Sequence, residues 1–374
     1  MRQLPFIDLQ SQQQHLKSAI DNNIQRILAH GQYIMGPEVA ELEEKLAAFV
    51  GAEVCVSCAN GTDALKIPLL AWGIGRGDAV FTPAFTFTST AEVVALIGAE
   101  PVLTDVHNDT FNMDSASLET AILNVLNEGR LTPRAIIAVD LFGQLADYEK
   151  ISEIARKYDL KLISDSAQAF GGTLDGKHPL AWADVATTSF YPAKPLGCYG
   201  DGGAVFLNGE EPVDVFRSIR NHGQCPKNGE VIHVGLNSRL DTIQAAILLA
   251  KLDVFPEEIE KRNFIAARYR DALHNIVETP FVDQKAKSVW AQYTIKVNNR
   301  DEFAKSLDDK GVPTAIHYRK PVHLQPAYSN FMRANEELKI AEEHSKRVLS
   351  LPMHPYLSES DQNRIISAIR SVQV

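Results

Sequence analysis

The chain has 374 residues, 45% of them hydrophobic and 22% charged, a composition that suits a soluble globular protein with one large core and a smaller second unit and leaves little room for disorder. Its 37 basic residues against 47 acidic ones give a net charge of -10, which repels nucleic-acid phosphates and anionic membrane surfaces, and no long Lys/Arg run offsets it. The amino-terminal MRQLPFIDLQSQQQHLKSAI lacks the apolar core of a signal peptide and no membrane-length apolar run follows, so a cytoplasmic protein is expected.

Between positions 53 and 206, short β-branched runs alternate with helix-like segments. The runs are EVCVS, DAVFTP, EPVLTDV, RAIIAVDLFG, KLISDS, VATTSF and GGAVFL. Segments 63–72, 89–97, 115–127 and 148–158 carry helical apolar spacing, several with Thr, Ser or Asp near their starts. The alternation predicts an α/β protein whose mostly parallel central sheet has helices on both faces. A long helix over LDTIQAAILLAKLDVFPEEIEKRNFIAARYRDALH, interrupted near Pro256, follows. After it the texture changes to isolated strands, QYTIKVN and PTAIHY, and amphipathic helices, AEEHSKRVLSL and SDQNRIISAIRSV. A domain boundary near Lys251 is expected, with a large α/β domain over 1–250 and a small α+β domain over 251–374.

The cysteines Cys55, Cys58, Cys198 and Cys225 are too few and scattered for a disulfide framework. Cys55 and Cys58 stand at a metal-ligand spacing, but within a strand-like alternation they point to opposite faces, and no second pair completes four ligands. No metal is expected.

In open α/β sheets, ligands sit beyond the carboxyl ends of the strands, and polar residues at those exits are the first candidates for chemistry. SCANGTDAL runs from a strand into a helix, and there Gly61 lets backbone N–H groups approach an anion while the Thr62 hydroxyl adds a donor. KLISDSAQAFGG delivers Asp165 to a strand end, followed by Gln168; a carboxylate there needs a partner, either a turn or the protonated nitrogen of a pyridine ring. In TTSFYPAKPLGCYGDGGAVFL, Lys194 stands between Pro192 and Pro195 on a stiff loop, where burial would depress its pKa as an imine-forming amine requires. Ser189 offers a hydroxyl to the same phosphate as Thr62. In TPAFTFTST, Phe85 and Phe87 either pack in the core or, for Phe87, stack on a cofactor ring.

Together NGTDAL, FTFTST, DSAQAFGG, SFYPAKPLGCYGDGGA and VGLNSRLDTIQAAIL resemble the DegT/DnrJ/EryC1/StrS sugar aminotransferases, in order and over nearly the whole chain. The resemblance implies the aspartate aminotransferase-like, fold-type I architecture working as a homodimer, with pyridoxal 5'-phosphate (PLP) as cofactor and its pyridoxamine form as the intermediate carrier. It also implies roles: Lys194 as the Schiff-base lysine, Asp165 as partner of the pyridine nitrogen, Gln168 beside the ring hydroxyl and Phe87 as the stacking aromatic. Gly61, Thr62 and Ser189 match the phosphate cup, which Asn237 of the neighbouring subunit would complete. Some relatives carry histidine in place of the lysine and act as sugar dehydratases; Lys194 favours transamination.

By the same likeness the donor is L-glutamate and the acceptor a nucleotide-linked keto sugar. Candidates to contact the acceptor are Tyr33, with Gln32 and Gly36, in GQYIMGP, and then His222, Arg239, His317, Tyr318, Arg319 and His354, each of which could equally be packing or surface. The motifs look closest to enzymes that aminate C3 of a 3-keto sugar. A UDP-linked 3-keto-N-acetylglucosaminuronic acid, on the way to surface polysaccharide such as O-antigen, is favoured over dTDP-3-keto-6-deoxyhexoses, C4-keto sugars or dehydration.

Overall fold

The computed structural model describes residues 4–209, 211–225 and 227–372. In chain order the strands are β1 (Val54–Cys58), β2 (Asp78–Pro83), β3 (Glu100–Thr104), β4 (Thr132–Val139), β5 (Lys161–Asp165), β6 (Thr173–Leu174), β7 (Val185–Ser189), β8 (Gly203–Leu207), β9 (Ala286–Lys287), β10 (Tyr293–Lys296) and β11 (Val348–Leu351). Seven of them form one sheet in the order β1-β8-β7-β5-β4-β2-β3. β8 runs antiparallel to both of its neighbours, and the remaining pairs are parallel.

Side chains alternate across this sheet as a period of two requires. Cys55, Phe81, Ile136, Leu162 and Phe206 enter the largest apolar cluster. Their neighbours Val80, Ile137 and Ile163 join a second cluster, and Val56, Cys58 and Val205 a third. Both faces are therefore buried, which is why the strands read as near-continuous apolar runs. Cys55 and Cys58 fall into different clusters.

Beyond the sheet, Tyr293, Ile295, Leu349 and Leu351 of the antiparallel pair β10–β11 pack with Tyr269, Leu273, Ile365 and Ile369 of helices Phe255–Leu273 and Glu359–Arg370 in a core of their own. The free edge of β3 is covered from the far end of the chain: Leu103 N–H donates to Met332 O at 2.8 Å, and Leu103 O accepts from Ala334 N–H at 2.8 Å.

The long helix breaks near Pro256 as expected: it is two, Thr242–Leu252 and Phe255–Leu273, with Pro256 in the first turn of the second, where its missing N–H costs nothing. Other expected elements differ. In AEEHSKRVLSL the helix Lys339–Arg347 stops before VLSL, which is β11. PTAIHY forms no strand; only Ala315 bridges to Ser350. Helices Leu9–His15, Lys17–His30, Pro37–Val50, Val213–Arg220 and Arg300–Asp308 were not expected. Among the described residues no helix is long and apolar enough to cross a membrane.

Candidate cofactor site

The antiparallel β8 between β1 and β7 assembles the first half of the site. Its register sets Cys58 and Ser189 on either side of Gly203, so the exits of β1 and β7 lie side by side. Asn60 then caps helix Gly61–Ala71, its Oδ1 accepting from Asp63 N–H at 2.8 Å. Gly61 is pressed against Ser189 so closely that a Cβ would lie 2.5 Å from Ser189 Cβ. The first N–H groups of that helix thus lie beside Ser189, the usual setting for a phosphate.

β5 supplies the second half. Asp165 is 5% exposed; its Oδ2 accepts from the Thr90 hydroxyl at 3.2 Å and its Oδ1 from Ala167 N–H at 3.2 Å. Burial raises the pKa of this carboxyl, against the lowering effects of the Ala167 N–H, the Lys194 charge and the Thr90 hydroxyl. Lys194 is half-buried. Loss of hydration lowers the pKa of its amine, while the charge of Asp165 acts in the opposite direction. The two groups are therefore electrostatic neighbours.

The loop that presents Lys194 is held at several points. Lys194 N–H donates to Tyr191 O at 2.6 Å and Cys198 N–H to Phe190 O at 2.8 Å. Lys251, 1% exposed, donates to Gly197 O at 2.6 Å. Sequence reasoning missed Thr90 and Lys251: Thr90 was visible only as one of several interleaved hydroxyls, and Lys251 only as a lone lysine in an apolar helix.

Gln168 is oriented by its partners. Its Oε1 accepts from Phe142 N–H at 2.9 Å, which turns Nε2 toward the Tyr318 hydroxyl at 3.2 Å. The ring of Tyr318 lies 6.3 Å from that of Phe87 and 6.1 Å from that of Phe85. The two phenylalanines separate: Phe85 is 1% exposed in the core, whereas Phe87 is 54% exposed on the site side. His317 completes this wall; burial, and next the charge of Lys194, lower its pKa. Arg319 turns outward to Asp301 at 3.1 Å.

Gly61, Thr62, Phe87, Asp165, Gln168, Ser189, Lys194, His317 and Tyr318 are thus gathered around the strand exits. The other candidates stand on other segments of the chain. His222 and Asn237 are exposed, and Arg239 donates to Asn221 Oδ1 at 3.3 Å; none of the three has a side-chain hydrogen bond or ion pair to Lys194 or Asp165. Tyr33 is 48% exposed, its carbonyl accepting from Thr242 N–H at 3.0 Å. His354 is buried just beyond β11. Among the described residues no group of three or more His, Cys, Asp or Glu side chains could hold a metal ion.

Residues 14–370 match the DegT/DnrJ/EryC1/StrS aminotransferase family. The chain belongs to this family. It is 49% identical over 369 residues to the UDP-2-acetamido-2-deoxy-3-oxo-D-glucuronate aminotransferase of Pseudomonas aeruginosa, covering 98% of this chain and 99% of the relative. A DegT DnrJ EryC1 StrS aminotransferase from Brucella abortus superposes with a TM-score of 0.96 at 50% identity, with 98% of each chain covered. NtdA from Bacillus subtilis, solved with bound cofactor PMP, superposes with a TM-score of 0.89 at 29% identity, over 99% of this chain and 85% of that one.

The residues present fit PLP. The cradle between Gly61 and Ser189, which a Cβ would fill, suits its phosphate, and the buried Asp165 needs a cationic partner such as a protonated ring nitrogen. The Lys194 amine, made easier to deprotonate by burial, feels the charge of that carboxyl. The protein is a PLP-dependent aminotransferase.

Proposed function

We propose that this enzyme transfers the amino group of L-glutamate to the C3 ketone of a nucleotide-linked keto sugar, UDP-2-acetamido-2-deoxy-3-oxo-D-glucuronate, in the biosynthesis of surface polysaccharide. The observation that carries the reading is the buried Asp165 carboxyl at the carboxyl end of β5, with the Lys194 amine within reach of its charge. The substrate follows from 49% identity to an aminotransferase of that name.

PLP, when bound, supplies the electron sink and carries the amino group from donor to acceptor in its pyridoxamine form. Gly61, Thr62 and Ser189 bind its phosphate, and Asn237 of the neighbouring subunit completes the cup. Asp165 holds a proton at the ring nitrogen, an arrangement that offsets its own cost of burial. Gln168 faces the ring hydroxyl and Phe87 packs on the ring. Lys194 would hold the cofactor through its aldehyde, and its amine, whose pKa burial lowers, would serve as the base that moves the donor's α-proton. Tyr33, His222, Arg239, His317, Tyr318 and His354 are the candidate contacts for the acceptor.

A homodimer in the cytoplasm is part of the same reading. Tyr33, Ile34 and Met35 are 48%, 47% and 42% exposed, and Val231, Ile232 and Val234 are 68%, 52% and 95% exposed, apolar area that suits a subunit interface. The proposed division into domains falls near Lys251, ahead of helix Phe255–Leu273, whose Phe255 and Ile259 still pack in the largest cluster while Ile265, Ala266, Tyr269 and Leu273 join the core around β10 and β11.

The test is a panel of UDP- and dTDP-linked 3-keto and 4-keto sugars with L-glutamate, following 2-oxoglutarate and locating the new amine by NMR. Amination at C3 of the UDP-linked uronate is expected. Turnover confined to dTDP sugars would overturn the substrate, and loss of water without 2-oxoglutarate would overturn the reaction class.

A further inference from the structure

Behind Asp165 lies a second carboxyl group that the amino-transfer chemistry leaves unexplained. Asp140, the residue after β4, is fully buried, and four donors meet it. Its Oδ1 accepts from Ala146 N–H at 2.8 Å and the Tyr148 hydroxyl at 2.8 Å. Its Oδ2 accepts from the hydroxyls of Ser164 at 3.1 Å and Ser166 at 2.6 Å. The Asp140 N–H, in turn, donates to the carbonyl of Asp165 at 3.0 Å.

Ser164 and Ser166 are the two neighbours of Asp165 in sequence, so alternation along the strand turns them to the face opposite its carboxylate. Asp140 therefore grips the end of β5 from behind. Through Ala146 it also closes the turn after β4, and in that turn the Phe142 N–H holds Gln168 Oε1 at 2.9 Å. One buried side chain thus ties together the supports of the two residues placed against the cofactor's ring nitrogen and ring hydroxyl. Contacts of this kind need support from a surrounding layer of hydrogen bonds to keep their geometry within a fraction of an ångström.

We propose that Asp140, with Tyr148, Ser164 and Ser166, is a positioning residue for amino transfer, fixing Asp165 and Gln168 against the pyridine ring. The inference rests on the reading of Asp165 as the partner of the ring nitrogen. Loosening the grip lets the Asp165 carboxylate drift, so the ring nitrogen holds its proton less firmly. Substrate contacts made elsewhere in the site are left alone.

The experiment compares Asp140→Asn, Ser166→Ala and Tyr148→Phe with the parent in the full-length enzyme, with Asp165→Asn as reference. For each, the PLP dissociation constant, the pH midpoint of the bound cofactor's long-wavelength absorbance, kcat and KM, and the melting temperature without PLP are measured. Asp140→Asn and Ser166→Ala are expected to lower kcat about 10-fold with KM within about 2-fold, to weaken PLP about 3- to 10-fold and to move the absorbance midpoint toward that of Asp165→Asn. A purely structural role would lower the melting temperature and leave the midpoint in place, which overturns the proposal. Should Asp140→Asn fail to fold, Ser166→Ala and Tyr148→Phe decide by the same midpoint. If Asp165→Asn itself keeps the parent spectrum and rate, the reading of Asp165 is wrong; if only the Asp140 group behaves as parent, that reading stands and this one falls.

Discussion

The substitution Gly61→Ala puts a methyl group into the tightest contact of the phosphate cradle. Its carbon would lie 2.5 Å from Ser189 Cβ, 3.0 Å from Ser189 Oγ and 3.2 Å from Ser189 Cα, whereas carbon atoms rest at about 3.5–4.0 Å. Either the start of helix Gly61–Ala71 or the end of β7 must move by about 1 Å, and neither is a flexible side-chain tip. Overpacking of this kind costs about 1–3 kcal/mol of stability. The shift also draws the helix N–H groups and the Ser189 hydroxyl apart, and losing one hydrogen bond to a charged phosphate removes about 1.5–3 kcal/mol, a weakening of PLP by about 10- to 100-fold. Titrating cofactor-free protein with PLP by absorbance, alongside thermal melts, measures both effects. Pairing Gly61→Ala with Ser189→Gly removes the colliding Cβ, so the double variant should regain melting temperature while still binding PLP weakly for want of the hydroxyl. If the single variant binds PLP and melts like the parent, the cradle has been placed wrongly.

Lys194→Ala is expected to abolish both turnover and the long-wavelength absorbance of bound cofactor, as read by spectrophotometry and a 2-oxoglutarate assay; an active variant contradicts the site. Asp165→Ala should keep some cofactor yet lose most of the rate, by about 100-fold or more, as steady-state kinetics at saturating PLP would record. His344 is 1% exposed, and burial holds its imidazole down at about 4. Its folded-state value lies below the unfolded one near 6.5, so stability is complete above about pH 6.5 and is lost as pH falls toward 4, by at most about 3 kcal/mol. His344→Phe, which retains a ring against Phe111, should show a shallower loss of urea-unfolding stability between pH 7 and pH 4.5; equal slopes in the two proteins would refute the assignment.

The strands were legible because burial on both faces writes each one as an apolar run, as in KLISD and GAVFL. The amino-terminal helices were not. Leu9–His15 buries no residue, and Lys17–His30 buries only Ile20 and Ile27, so neither carries a stripe wide enough to stand out. VLSL reads as the tail of a helix until β10 is present to pair with it. Within the site, Asp165, Lys194 and Gly61 declare themselves at strand exits, where an open sheet places its ligands. Thr90 on Asp165, Tyr318 on Gln168 and Lys251 on Gly197 are meetings of distant segments, which no local pattern encodes.

The seam between Leu103 and residues 332–334 has a consequence for the order of events during synthesis. When the ribosome has finished the first two-thirds of the chain, β3 still exposes an unpaired row of N–H and C=O groups, because the segment that covers it has yet to emerge. Until then that border is free to recruit a similar strand from another nascent chain. The last third of the polypeptide therefore acts as a late-arriving seal, and slow translation there would lengthen the interval in which the young protein is most prone to clump.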